Sequence, residues 1–178
     1  MHRYILTGAP GAGKTVLLRA LERAGHAVVE EAATDLIALA QGEGVAEPWT
    51  DPAFIDAIVA LQKQREARAV GDLAFFDRSP VCALALARFL GHPISPVLRD
   101  ELDRITARGV YQRRVFLVRG LGFVTPTAAR RISLEDALRF EAVHEAAYRE
   151  LGYVLIPIAA GSIAERAAAV LAALPKLK

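Results

Sequence analysis

The residues Gly8-Ala9-Pro10-Gly11-Ala12-Gly13-Lys14-Thr15 fit the pattern G-x-x-x-x-G-K-[ST] at every fixed position. The chemistry of that pattern is the cradling of a polyphosphate. Small residues let backbone N–H groups close around an anion, and a helix starting near Gly13 turns its positive end toward it. Lys14 has the reach for the outer phosphates, and the Thr15 hydroxyl can take a place on Mg²⁺. With Val16 opening the helix, Gly8 to Val16 are the expected nucleotide-binding residues. Lys14 is also the first catalytic candidate and Thr15 the first metal candidate. ATP is expected rather than GTP, because no N-K-x-D guanine motif occurs in the chain.

Two further sets of residues could act on the same phosphates. Leu73-Ala74-Phe75-Phe76 is a continuous apolar run that ends in Asp77-Arg78-Ser79-Pro80. A strand buried on both faces that delivers an acid at its C-terminal end is what a Walker B strand looks like. Asp77 would then join Thr15 on Mg²⁺, often through water, while Arg78 faces phosphate. The competing reading is a surface turn with an incidental ion pair. The second set is Glu30 and Glu31, two carboxylates at the end of the short apolar run Ala27-Val28-Val29. They stand where strands of a parallel sheet deliver catalytic groups. Gln62 and Arg65 extend the helical stripe of Ile58, either as a solvated flank or as contacts to a substrate.

The elements that must position these groups follow in order. Tyr4 to Thr7 reads as a buried strand, the phosphate loop follows, and Val16 to Leu21 continues as an amphipathic helix that Gly25 stops. A helix over Ala32 to Ala40 is broken by the loop around Gly42 to Trp49. Asp51 or Thr50 can cap the next helix, with Pro52 in its first turn and Phe54, Ile55, Ile58 and Leu61 at helical spacing. Pro80 opens a helix that Gly91 stops, and another spans about Pro96 to Ala107. Arg114 to Val118 is the fourth strand. Arg119 to Arg131, with its glycines, threonines and arginines, cannot be a regular core element. In a nucleotide-dependent enzyme it is expected to form a basic lid, over about 119–133. Ser133 with Asp136 resembles a capping box before a long helix. Tyr153 to Ile158 is the fifth strand, with Pro157 marking an end or an edge, and a helix from Ser162 to Leu174 covers the sheet.

Bulk properties narrow the class. The 178 residues are 53% hydrophobic and 24% charged, which is globular composition, and a length suited to one domain. The net charge of +2 gives no nucleic-acid footprint. Cys82 is the only cysteine, which rules out an internal disulfide or a cysteine-based zinc site. Alanine-rich runs such as Ala167 to Leu174 fall far short of the roughly 20 residues that span a bilayer. Neither a signal peptide nor a membrane span is expected, and the cytoplasm is the expected compartment.

Four marks taken together carry a resemblance: Tyr4 to Thr15, Glu31-Ala32-Ala33, Phe75-Phe76-Asp77-Arg78-Ser79, and Glu135 to Tyr153 with His144, Tyr148 and Leu151-Gly152-Tyr153. On these the chain resembles the small AAA-type ATPase domains that include the nicotinamide riboside kinase domain and stand beside the deoxynucleoside and nucleotide kinases. The resemblance implies a P-loop NTPase of the α/β class, three layers around a five-stranded parallel sheet ordered 2-3-1-4-5. It implies an acid after the second strand that activates the acceptor hydroxyl, a place Glu31 matches better than Glu30. It also implies that Arg78 and a lid arginine, Arg130 or Arg131, neutralise charge on the transferred phosphoryl group. Relatives often carry an acidic residue and a tyrosine in the helix after the Asp-Arg motif, where this chain has Cys82 and Leu86.

The expectation is therefore a Mg²⁺-ATP-dependent kinase acting on a small hydroxyl-bearing metabolite or nucleoside, with Glu31, Gln62 and Arg65 near the acceptor. The alternative is a nucleotide-dependent regulatory module with slow ATPase activity.

Overall fold

A computed structural model of the chain describes residues 1–120 and 133–175. Five strands form one sheet: β1 (His2–Thr7), β2 (Ala27–Val29), β3 (Leu73–Asp77), β4 (Arg114–Val118) and β5 (Val154–Ile158). They lie in the order β2-β3-β1-β4-β5, and every pairing is parallel. Each strand is followed or preceded by helix: α1 (Lys14–Arg23), α2 (Ala32–Gly42), α3 (Ala53–Arg68), α4 (Pro80–Leu90), α5 (Pro96–Ala107), α6 (Leu134–Glu150) and α7 (Ile163–Ala172). This is the doubly wound P-loop arrangement with the expected strand order.

The layers follow from alternation along buried strands. Ile5, Ala74, Phe76 and Val115 face one core, which α2 to α6 cover. Tyr4, Leu6, Phe75, Phe116, Val118 and Ile158 face the other, against Leu17, Leu18 and Leu21 of α1 and Val170 of α7. Both faces are apolar because a parallel sheet needs helices on each. β5 is an edge strand, where the missing N–H of Pro157 is tolerated.

Helix boundaries show local chemistry at work. Ser79 and Ser95 cap α4 and α5 through their side chains, and Pro80 and Pro96 occupy first-turn positions. Asp51 accepts from the Ala53 N–H at 2.9 Å, so the expected acid holds the entry to α3. The Ser133–Asp136 pair is only half a capping box: Ser133 accepts from the Asp136 N–H, but its hydroxyl, not its N–H, donates to the Asp136 carboxylate. The full reciprocal box is Ser162 with Glu165, at the start of α7. β2 spans the short apolar run Ala27–Val29 and stops before Glu30.

The register places the chemistry. Leu6 of β1 lies beside Asp77 of β3, so the strand that enters the phosphate loop ends next to the acid. Gly8 leaves β1 at φ 132°, and a Cβ there would stand 2.3 Å from the Val118 carbonyl oxygen. Gly25 also has positive φ, 92°, but open space around it. Gly8→Ala is therefore expected to cost more than about 2 kcal/mol of stability, from strain plus a backbone clash. Gly25→Ala should cost only about 1 kcal/mol, from conformation alone. Urea unfolding of both variants checks the difference, and equal losses would mean that the sheet and loop can move apart freely at Gly8.

Candidate active site

At the C-terminal edge of the sheet a cavity of about 760 Å³ opens beside the phosphate loop. Pro10, Gly11, Gly13, Lys14, Thr15 and Val16 line one end. Gly8, Ala9 and Ala12 stand behind them, with Ala9 and Ala12 buried. Gly11 and Gly13 have φ values of 86° and 82°, which a side chain would resist, and that bends the loop around the start of α1. Lys14 is buried, and its ammonium donates to the carbonyls of Gly8 at 3.0 Å and Ala9 at 2.9 Å. Burial, with the Arg78 charge nearby, lowers its pKa to about 8.

Thr15 Oγ1 donates to Asp77 Oδ2 at 3.2 Å, which joins the two residues expected on a metal. Asp77 Oδ1 is buried without a hydrogen-bond partner. Burial pushes the Asp77 carboxyl above its ordinary range, and the Glu31 carboxylate adds to this. Among the described residues no cluster of three or more His, Cys, Asp or Glu could cage a metal alone. A hydroxyl and one carboxylate with an orphaned oxygen fit Mg²⁺, which keeps several waters and takes the rest of its ligands from phosphate.

Arg78 stands at the centre of the site. It is the one non-glycine residue with positive φ, 74°, among those described. Such a conformation costs roughly 1–2 kcal/mol and persists where the surroundings over-determine it. Its N–H donates to the Leu6 carbonyl at 3.0 Å, and its guanidinium pairs with Glu31. Arg78 Nη1 lies 3.0 Å from His144 Nε2, while His144 Nδ1 lies 2.8 Å from the Phe140 carbonyl. A carbonyl can only accept, so Nδ1 carries the proton and Nε2 accepts from Arg78. Burial holds His144 well below its ordinary pKa, with the Arg78 charge acting in the same sense, so the ring stays neutral. Burial alone would raise Glu31, but the Arg78 and Lys14 charges outweigh it and keep the carboxyl low.

Glu31 precedes α2 as its N-cap, yet its side chain makes no capping bond to backbone. It accepts from the Thr34 hydroxyl at 2.9 Å and faces the cavity. Glu30 points elsewhere, to Arg19 on the protein surface. The far end of the cavity is walled mainly by apolar side chains, Trp49, Phe54, Leu86, Phe89 and Phe140, with Cys82 also facing it. The ion pair of Asp136 and Arg139 adds charge there, the guanidinium 5.5 Å over the Phe89 ring. Gln62 also lines the cavity, and its Oε1 is buried without a partner. Arg65 departs from the expected placement near the acceptor and does not line the cavity. Its guanidinium donates to the carbonyls of Glu30 at 3.0 Å and Glu31 at 2.7 Å and pairs with Asp35. It braces the turn that carries Glu31. Arg130, Arg131 and most of the expected lid lie outside the described residues; Arg119, at its start, pairs with Glu141 and Glu145 of α6.

Sequence reasoning gave no role to the groups that hold Arg78 and the phosphate loop. Tyr148 is buried, with its hydroxyl 2.8 Å from Ser79 Oγ and 3.2 Å from Cys82 Sγ. Arg166 of α7 is buried and donates to the Ala12 carbonyl at 2.9 Å. One signal was present: Arg166 stands four residues before Val170, on the buried stripe of a helix that is apolar apart from Arg166 and Glu165.

Comparison with known proteins agrees with this geometry. Residues 3–166 match the family described as AAA domain. A nucleotide-binding protein of Herminiimonas arsenicoxydans is 28% identical over 156 residues, which cover 87% of this chain and 50% of that protein. Among solved structures, the NadR protein in complex with NAD and AMP-PNP superposes with a TM-score of 0.67 at 14% identity, over 96% of this chain and 48% of the other. Deoxyadenosine kinase from M. mycoides with bound dATP gives a TM-score of 0.47 at 12% identity, over 96% and 97% of the two chains. The chain thus spans about half the length of the first two proteins. No helix among the described residues is long and apolar enough to cross a membrane. With the phosphate loop, the Asp77-Arg78 strand end and the 2-3-1-4-5 sheet all in place, the chain belongs to the AAA domain family.

Proposed function

We propose that this chain binds Mg²⁺-ATP on the phosphate loop and transfers the γ-phosphoryl group to a small hydroxyl-bearing acceptor, nucleosides among them, held in the apolar end of the cavity. One observation carries the proposal: a single cavity, with Gln62 in its lining, runs from Lys14 and Thr15, past Glu31 and Arg78, to an aromatic-walled pocket. A hydrolase or a nucleotide-dependent switch needs only the first part of that cavity. The relative from Herminiimonas arsenicoxydans is named for nucleotide binding, which agrees with the first half of the proposal.

Catalysis here is positioning and electrostatics, because phosphoryl transfer passes through a loose transition state that asks for little covalent help. Lys14 would exchange its carbonyl partners for phosphate oxygens. Thr15 and Asp77 would hold Mg²⁺, which neutralises charge between the β- and γ-phosphates. Arg78 would face the transferred group, kept in place by His144. Glu31 would accept the hydrogen bond of the acceptor hydroxyl. As the hydroxyl oxygen bonds to the γ-phosphorus and the bond to the bridging oxygen breaks, its proton passes to Glu31 and ADP leaves. An acceptor with an N–H or NH₂ edge would satisfy Gln62 Oε1, which is otherwise a cost to the fold.

ATP consumption followed against a panel of nucleosides and small alcohols, with a no-acceptor control, tests the proposal. Stimulation by at least one acceptor is expected. Slow turnover indifferent to every acceptor would overturn it in favour of the regulatory module.

Two variants and a pH series sharpen the test. Glu31→Gln keeps shape but cannot take the proton, so acceptor-dependent turnover is expected to fall about 10²- to 10⁴-fold with ATP affinity little changed. The melting temperature is read on the same variant, because the Arg78 pair is weakened too; wild-type turnover would reject the catalytic role. For Lys14, the bound triphosphate favours the protonated amine, and the free protein loses that proton at a pH of about 8. Affinity for Mg²⁺-ATP should therefore be level below that pH and fall above it, by at most about tenfold per unit, as binding becomes coupled to proton uptake. Calorimetry in buffers of different ionisation heat counts the proton directly, and Lys14→Ala should bind weakly without this dependence.

A further inference from the structure

Arg166 is an anomaly that the proposed reaction does not use. It is the largest side chain among the fully buried ones, only 2% exposed, and it makes no ion pair among the described residues. Its partners are two carbonyls: Ala12 of the phosphate loop, at 2.9 Å from Nη1, and Arg119, at 2.9 Å from Nη2. Its Nε is buried with no partner. Every other mostly buried arginine among the described residues answers a carboxylate, as Arg78 does with Glu31 and Arg104 with Glu66 and Glu101. A guanidinium taken out of water and left on carbonyl dipoles alone is costly, and a counter-charge arriving beside it would offset that cost.

The position says what that counter-charge is. Nη1 lies 3.0 Å from where a Cβ on Gly13 would stand, and Gly13 lines the nucleotide end of the cavity. The Ala12–Gly13 peptide is trans, so its C=O and N–H point in opposite directions. By holding the Ala12 carbonyl toward α7, Arg166 fixes the Gly13 N–H in the opposite direction within the same peptide plane, away from α7. Its second bond fixes the Arg119 carbonyl, just past β4, against the same helix. We infer that Arg166 is a positioning residue for phosphate binding: it orients the Ala12–Gly13 peptide, and its uncompensated charge is answered by the polyphosphate that the loop receives. This rests on the nucleotide reading given above.

The inference predicts opposite effects on the free and the bound protein. Arg166→Met keeps the length and apolar stem but removes the charge and the fork. If the charge is a burden to the empty site, the free variant melts at or above the wild-type temperature. Its affinity for the non-hydrolysable analogue Mg²⁺-AMP-PNP falls roughly 10- to 100-fold, the range of lost charge-assisted hydrogen bonds. An arginine that serves only as a structural brace gives the reverse, a lower melting temperature and unchanged affinity, and that result would overturn the inference. Where the variant loses both, Arg166→Lys decides. Recovery of affinity together with stability supports the charge, and recovery of stability alone overturns it. Wild-type protein and Lys14→Ala are titrated in parallel. A wild type that binds no AMP-PNP refutes the nucleotide reading itself, whereas a binding wild type matched by Arg166→Met refutes only the role of Arg166.

Discussion

The structure depends on the placement of Lys14, Glu31, Asp77 and Arg78, two positive and two negative formal charges, within one largely dry space at the end of the sheet. Burial disfavours ionisation of each, and each is also shifted by the others. Such a set is tolerable only where opposite charges stand close and remaining polar atoms are satisfied. The strand order supplies the closeness. β2 and β3 are far apart in sequence, yet the order β2-β3-β1 brings the ends of three strands side by side. Glu31 follows one, Asp77 ends the next, and the loop bearing Lys14 follows the third. A different sheet order would leave the same residues as isolated surface charges.

The two sides of the sheet are unequal, and that inequality divides the labour. Five helices, α2 to α6, cover one face, and two, α1 and α7, cover the other. The thicker side has depth for an apolar pocket whose walls come from several elements: Trp49 from the loop before α3, Phe54 from α3, Leu86 and Phe89 from α4, and Phe140 from α6. Cys82 also faces that pocket. Gln62 is a buried polar group of the same cavity's wall, its Oε1 without a partner. The thinner side holds the loop itself, through Leu17, Leu18 and Leu21 packing below it and Arg166 beside it.

Much of this was legible in the sequence, for identifiable reasons. The phosphate loop was legible because backbone geometry demands glycine and small residues at fixed positions, and the Asp77-Arg78 end because a strand buried on both faces must stop at its first charge. The strand order came from the resemblance and agrees with the fold. Other features escaped because periodicity reports the face of a helix, not the partner it meets. Arg65 lies on the stripe of Gln62, one turn on, yet its long stem carries the guanidinium sideways to the carbonyls of Glu30 and Glu31. His144 reads as any buried histidine until Arg78 is seen beside it. The full capping box of α7 was missed and that of α6 overread, because Asp136 is shorter than Glu165 and does not return to the cap N–H.

Among the described residues the sheet ends at β2 on one side and β5 on the other, and both make poor templates for another strand. On one side β2 offers only three residues, flanked by the charged pair of Glu30 and Arg19. On the other, Pro157 is the fourth of the five residues of β5 and has no N–H to give. An incoming chain would find neither a long ladder nor a continuous row of donors. Mostly apolar strands of this kind are hazardous while a chain is being made, and the short edge and the proline limit the ways two unfinished molecules can zip together. The residue that marks the end of the sheet in the sequence also serves as its guard against aggregation.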